Sequence, residues 1–145
     1  MSDKYDALKL ENQLCFPLYA CSKELVRRYK PALNRLDLTY TQYIAMMVMW
    51  EHKKINVTEI GRLLYLDSGT LTPVLKKLEQ KGLITRSRCK GDERCLDVCL
   101  TDKGEALKEK AVEVPGKIAP CLALTPEEAG TLYSLLRKTL AAMGE

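Results

Sequence analysis

Residues 57–101 read VTEIGRLLYLDSGTLTPVLKKLEQKGLITRSRCKGDERCLDVCLT, and this stretch decides the fold. Val57 to Leu64 has the spacing of a short helix, with Ile60, Leu63 and Leu64 on its inward face. Asp67 and Ser68 offer capping groups for a second helix. On that helix Leu71, Val74, Leu75 and Leu78 form one apolar stripe at 3.6-residue spacing. Gly82 follows as the glycine that closes it. Residues 83–89 and 94–100 then alternate as two strands around a loop at Lys90, Gly91, Asp92 and Glu93. A short helix, a turn, a second helix and a hairpin with a basic tip make a winged helix-turn-helix.

One feature of the second helix resists this reading. Pro73 fits only if the regular helix starts late or its first turn is distorted, because an interior proline removes a backbone bond and clashes one turn back.

Upstream, apolar groups at Leu8, Leu14, Cys15, Leu18, Tyr19, Leu25, Val26 and Tyr29 follow helical spacing. Asn12 is the expected N-cap, which puts Cys15 in the first turn and Pro17 early enough to be tolerated. Pro31 is expected to end or kink the helix after Lys30. Thr39 or Thr41 caps the next helix, over 41–52, which is apolar nearly all round and so belongs in the middle of the fold. Its methionines Met46, Met47 and Met49 read as core packing.

Downstream, Thr101 caps a helix from 102 to about 114, which Pro115 and Gly116 interrupt. Thr125-Pro126-Glu127-Glu128 is a capping box with proline at the first helical position. The last helix runs to Met143 and is expected to bury Leu132, Leu135, Leu136, Leu140 and Met143.

The architecture expected is therefore mainly α with a small β-hairpin wing, as one domain over 1–145. The winged helix-turn-helix occupies about 55–101, and amphipathic helices occupy about 6–36 and 102–143. The apolar faces of those terminal helices need a partner, and a two-fold homodimer supplies one.

The chain has 145 residues, 46% hydrophobic and 29% charged, with a net charge of +4. Residues 62–94 hold eight Lys/Arg and four Asp/Glu, an excess equal to the whole net charge. A local basic excess on this unit is the electrostatic footprint of nucleic-acid binding. The helix face opposite the apolar stripe carries Gly69, Thr72, Pro73, Lys76 and Gln80, flanked by Thr70 and Lys77. With Asp67 and Ser68 at the helix start, and Arg86, Asp92 and Arg94 in the wing, these are the candidate contacts to double-stranded DNA. Threonine hydroxyls can donate to phosphates or bases, and lysines neutralise backbone charge. Arg94 at the tip suits a minor groove, with Asp92 placed to brace it.

No apolar run is long enough to span a membrane, and the first residues lack the apolar core of a signal peptide, so a cytoplasmic protein is expected. Its six cysteines are then reduced thiols by default. There is no CxxC pair and only one histidine, so neither a metal site nor a cofactor is expected. Cys15 stands apart. A thiol in a first helical turn faces the positive end of the helix dipole, which favours a reactive thiolate. Tyr19 lies one turn on along the same face, and Leu14, Phe16 and Leu18 suit an apolar oxidant. An inert buried thiol is the alternative on spacing alone. Cys89 and Cys95 could face one another across the hairpin loop, if register allows, and a bond there would stiffen the wing. Cys95 and Cys99, four apart on one strand, are too far separated to bond.

The DERCLDVCLT segment, with Asp92, Arg94, Leu100 and Thr101, resembles the wing signature of the MarR family of dimeric winged-helix regulators. LYLDSGTLTPVLKKLEQKGLI resembles that family's recognition helix. ENQLCFPLYA and LTYTQY are closer to one branch, the OhrR-type repressors that sense organic hydroperoxides. The resemblance spans about residues 8–140. It implies that Cys15 is the sensing thiol and that Tyr19, Tyr29 and Tyr40 support its thiolate, with Tyr29 and Tyr40 coming from the partner subunit. It also implies an intersubunit Cys15–Cys121 disulfide, because two-cysteine members of the branch carry a resolving cysteine in about that region. A one-cysteine mechanism, with Cys15 capped by a small cellular thiol, stays open.

The function expected is a homodimeric repressor, not an enzyme. It holds an inverted-repeat operator when reduced and releases it when organic hydroperoxide oxidises Cys15. The alternatives are a MarR-type regulator released by a small ligand and, more remotely, a thiol peroxidase.

Overall fold

The computed structural model describes residues 3–144, without the side chains of Asp92 and Glu93. The chain divides into two compact units, Met1–Val114 and Pro115–Glu145.

The first unit begins with two 3-10 turns, Asp6–Leu8 and Leu10–Asn12, and continues into α1, Cys15–Asn34. Asn12 does not cap this helix. Its Nδ2 donates to the Asp6 carbonyl at 2.8 Å inside the preceding turns, and Leu14 occupies the cap position without a side-chain bond. Cys15 is nonetheless the first helical residue. Pro31 does not end α1 either. It lies in the last turn, where it forfeits one backbone bond on the exposed side. Leu33, 2% exposed, and the buried Leu36 and Leu38 beyond it hold the turn in place.

α2, Tyr40–His52, starts with a complete capping box: Thr39 accepts from the Gln42 backbone N–H, and Gln42 accepts from that of Thr39. It is the central helix, as its composition requires. Tyr43, Ala45, Met46, Val48, Met49 and Trp50 are buried, and only Met47 among the methionines expected inside points outward. The Trp50 indole donates to the Gly104 carbonyl at 2.9 Å, a buried bond that joins α2 to the far side of the unit.

A three-residue strand the sequence reading did not foresee, β1 (Lys54–Asn56), leads into α3, Val57–Leu64. Asn56 caps α3 by accepting from the Glu59 backbone N–H. Ile60 is fully buried, whereas Leu63, expected inside, is exposed. α4, Ser68–Gln80, is capped by Asp67, whose carboxylate accepts from the Thr70 N–H at 2.7 Å. It neither starts late nor breaks at Pro73. Leu71, Leu75 and Leu78 are buried to 1% or less, and that anchorage outweighs the bond lost at an exposed proline. The helix closes on Gly82 (φ +77°), with Gly82 N–H bonded to Glu79 and Leu83 N–H to Leu78. This pair of bonds needs a left-handed residue.

β2 (Ile84–Cys89) and β3 (Asp92–Leu100) form the hairpin, and β1 joins on the outer side of β3, so the sheet is antiparallel in the order β1-β3-β2. Val98 is the fully buried residue of β3. Thr101 caps α5 (Asp102–Ala111) by accepting from Gly104 N–H, and its hydroxyl donates to the Gly82 carbonyl at 2.6 Å. The break after α5 falls at Val112–Glu113, not at Pro115–Gly116. Those two residues lie inside α6 (Val114–Ile118), where an early proline loses nothing because its N–H would be unpaired anyway.

In the second unit a 3-10 turn, Ala119–Leu122, precedes α7, Pro126–Met143. The Thr125–Glu128 capping box forms as expected. Leu132, Leu135, Leu136 and Met143 are exposed rather than buried. α7 is amphipathic, but nothing in its unit covers these residues.

Candidate functional site

Two surfaces carry the candidate residues. The first is the outer face of α4 with the wing. Asp67, Ser68, Gly69, Thr70, Thr72, Pro73, Lys76 and Lys77 are all exposed, so burial of the opposite stripe presents one polar, cationic face to solvent. Arg94 is exposed near the wing tip. The expected brace from Asp92 lies outside the described residues, because that side chain is not described. Arg86 behaves differently from the others. Its side chain is 22% exposed, and its guanidinium donates to Glu79 Oε1 at 3.1 Å while its backbone N–H donates to Glu79 Oε2 at 3.0 Å. It ties the start of the wing to the end of α4. Its hydrogen bonds hold the Glu79 carboxyl below the usual carboxylate range. The sequence shows both charges but not their pairing, which depends on the turn at Gly82.

The second surface surrounds α1. Cys15 is exposed, as are Leu14, Phe16, Leu18 and Tyr19 around it. Leu10, Phe16 and Pro17 line an open groove of about 530 Å³ beside it. Tyr19 is one turn along, with the Lys23 ammonium over its ring at 5.4 Å.

Tyr29 and Tyr40 come together as expected, with ring centroids 4.9 Å apart. Tyr43, which the sequence reading missed, completes the cluster at 5.8 Å from Tyr29 and 6.3 Å from Tyr40. The signal was present, since Tyr40 and Tyr43 are three apart on one helix. Burial pushes all three phenols above their ordinary value. Repulsion from Tyr40 and Tyr43 adds to the effect on Tyr29, and repulsion from Tyr40 adds to that on Tyr43. They are neutral hydrogen-bond donors around neutral pH. A groove of about 570 Å³ opens beside them, lined among others by Val26, Lys30, Leu38 and Tyr40.

Cys15 is not near this cluster in its own chain. Tyr29 is fourteen residues further along α1, about 21 Å of helical rise.

Cys121, in the second unit, is exposed in the 3-10 turn, its thiol 3.9 Å from the Lys117 carbonyl. Cys21 and Cys99 are free. The default expectation of free thiols fails at the wing, where Cys89 and Cys95 are joined as a disulfide with Cα atoms 5.3 Å apart. Their sulfurs and an Asp97 carboxylate oxygen lie within 4.8 Å of one another. This is the one metal-type cluster among the described residues, but two sulfurs bonded to each other offer no thiolates. No helix among the described residues is long and apolar enough to cross a membrane.

The MarR family profile matches residues 38–96, from the start of α2 to the wing. Over 143 residues the chain is 50% identical to the organic hydroperoxide resistance transcriptional regulator of Bacillus subtilis, covering 99% of this chain and 97% of that protein. The chain belongs to the MarR family. Within the family it is OhrR-like, and its relatives are transcriptional regulators rather than enzymes. Two solved states of AbfR from Staphylococcus epidermidis share its fold. Reduced AbfR bound to DNA is 36% identical, with a TM-score of 0.80 over 99% of this chain and 100% of that one. Disulfide-formed AbfR is 34% identical, with a TM-score of 0.68 over 98% and 97%. The expected fold, a mainly helical winged helix-turn-helix of MarR type, is the fold observed, with a three-stranded sheet in place of the bare hairpin.

Proposed function

We propose that this protein is a homodimeric, thiol-sensing repressor. In its reduced form it holds an inverted-repeat DNA operator through two α4 helices and two wings. It releases the operator when an organic hydroperoxide oxidises Cys15. One observation carries the reading. An exposed Cys15 opens α1, and a cluster of neutral phenols, Tyr29 with Tyr40 and Tyr43 of α2, gathers around Tyr29 about 21 Å further along that helix. Two α1 helices packed antiparallel about a two-fold axis would set each Cys15 against the partner's phenols and the groove beside them. Donors of that kind stabilise a thiolate, and afterwards a sulfenate. The exposed apolar residues of α1 and α7 are the surface such a dimer would bury.

Organic hydroperoxide transfers one oxygen to Cys15, giving a sulfenic acid and an alcohol. Cys121 of the other subunit then attacks the sulfenyl sulfur, and water leaves as the disulfide forms. Similarity to a protein solved both reduced on DNA and in a disulfide form supports this two-cysteine route.

A DNA-binding titration of wild type and Cys15→Ser, each with and without an organic hydroperoxide, tests the reading. Wild type should release DNA and Cys15→Ser should not. Equal release by both would end the thiol-sensing proposal. On non-reducing gels the oxidised dimer band should vanish in Cys121→Ser.

A further inference from the structure

We propose that Cys89 and Cys95 form a second redox site, a wing dithiol that hydroperoxides close to an intramolecular disulfide independently of Cys15, and that closure pre-orders Arg94 for DNA. The first support is proximity. The hairpin brings the Cα atoms of Cys89 and Cys95 to 5.3 Å, a separation that fits a disulfide, although Cys89 is paired with Asp92 in the ladder.

The second support is the irregularity at the same point. Arg88 and Cys89 are adjacent on β2, yet their partners on β3 are Leu96 and Asp92. Glu93, Arg94 and Cys95 therefore form a bulge with no counterpart on β2. A bulge of this kind interrupts the ladder between the wing tip and the rest of the hairpin. The Cys89–Cys95 bond ties the inner end of that bulge to β2, and Arg94 is the residue next to the tie. Both cysteines are partly exposed, so a small oxidant can reach them.

The chemistry balances without any further reagent. One thiol attacks the hydroperoxide; its sulfur gains an oxygen as the O–O bond breaks, and the alcohol leaves. The second thiol attacks the resulting sulfenyl sulfur, the S–S bond forms, and hydroxide leaves with that thiol's proton as water. An Asp97 carboxylate oxygen within 4.8 Å of both sulfurs is at hand to accept that proton in passing. A wing fixed beforehand loses less freedom on binding DNA, so the closed form binds more tightly. The wing pair thus opposes the Cys15 switch.

The inference rests on the wing being a DNA contact, and the test is built to separate the two. The protein used is Cys15→Ser, which lacks the proposed sensing thiol. It is treated with an organic hydroperoxide, alkylated and cut with trypsin without reduction. A cross-link between the peptide Cys89–Lys90 and the peptide Cys95–Lys103 is expected, and complete alkylation of both cysteines would overturn the redox site. DNA titration of the undigested oxidised protein should show roughly threefold or greater tightening over the reduced one, an effect absent from Cys15→Ser/Cys89→Ser. Unchanged or weaker binding despite a mapped cross-link would overturn the pre-ordering role. Failure of the reduced protein to bind DNA at all would instead overturn the DNA-binding reading on which the inference rests.

Discussion

Replacing Gly104 by alanine should destabilise the fold more than any other single methyl addition at its glycines. An ideal Cβ at this position would lie 2.2 Å from the Leu83 carbonyl oxygen and 2.6 Å from Leu100 Cδ1. The carbonyl cannot rotate away, because it accepts the Thr101 backbone N–H at the root of the wing. α5 must therefore shift outward. Overpacking of this kind costs about 1–3 kcal/mol. The shift also pulls the Gly104 carbonyl from the buried Trp50 indole, 2.9 Å away, and an orphaned buried donor costs about 1–3 kcal/mol more. Helix propensity returns about 1 kcal/mol. The net loss is about 3 kcal/mol, or roughly 6–12 °C in melting temperature for a chain of this size. Chemical denaturation at fixed protein concentration measures it. Gly61→Ala, whose Cβ would stand 2.9 Å from the Leu66 carbonyl, should lose less, and Gly69→Ala, with only its own capping Asp67 at 3.6 Å, should lose nothing. If Gly104→Ala is as stable as Gly69→Ala, the packing argument is wrong.

Other expectations follow from single contacts. The Glu79 carboxyl is held low by Arg86, so its stabilisation is fully present above the unfolded value of 4.5 and is lost as pH falls through the lower folded value. Glu79→Gln should therefore flatten the acid limb of a stability-versus-pH curve. Tyr29, Tyr40 and Tyr43 are raised, so their contribution is intact below 10.0 and is lost as pH climbs through the higher folded values. Near-ultraviolet titration should show part of the chain's seven tyrosines ionising late, and one fewer late group in Tyr29→Phe. Lys76→Ala should weaken DNA binding alike for all sequences and reduce the salt slope by about 1. Arg86→Ala should instead lower stability, since its guanidinium is spent on Glu79. Lys81→Met should leave reduced DNA binding near wild type but blunt oxidant-driven release by roughly threefold or more.

What could be read beforehand was what local chemistry determines. Thr39, Thr101 and Thr125 cap the helices assigned to them, because a short oxygen side chain three residues before a free N–H decides the matter alone. The α4 stripe was legible for a similar reason, being a period that only one face can satisfy. The misreadings have tertiary causes. Pro31 and Pro73 are local helix breakers overruled by burial nearby, of Leu33 just after Pro31 and of Leu71 and Leu75 on either side of Pro73. β1 is three residues long and exists only through its pairing with β3. Arg86 reads as a basic wing residue until the turn at Gly82 brings Glu79 back to it. Cys15 stands at the start of α1, as its spacing predicts, whereas the pairing proposed for Cys121 involves a second subunit, which no spacing within the chain can reveal. The Cys89–Cys95 bond hung on a register that the Gly91 turn and the bulge set together.

Between the proposed sensing thiol and α4, the helix proposed to read DNA, the first unit contains a chain of contacts. The phenol cluster sits where α1 meets the start of α2. Tyr40 is the first residue of α2, and Gln42, two residues on, closes the capping box that starts it. The Gln42 side-chain oxygen also accepts from Lys81 Nζ at 3.0 Å, and Lys81 is the C-cap of α4. The same ammonium donates to the Asp37 carbonyl in the α1–α2 turn, while the Lys81 carbonyl accepts from Lys103 on α5. A displacement of Tyr40 that disturbed the first turn of α2 would therefore reach the C-terminal cap of α4 through Gln42 and Lys81. A second path runs from Tyr43 to Trp50, with ring centroids 6.4 Å apart, and through the indole to Gly104 and the root of the wing. Coupling between two sites requires an element whose arrangement both of them bias. The start of α2 is the candidate for that element, since two of the phenols stand on it and the end of α4 is hydrogen-bonded to its capping glutamine. Lys81→Met cuts the first path and leaves the second, so it should weaken the switch without disabling either end.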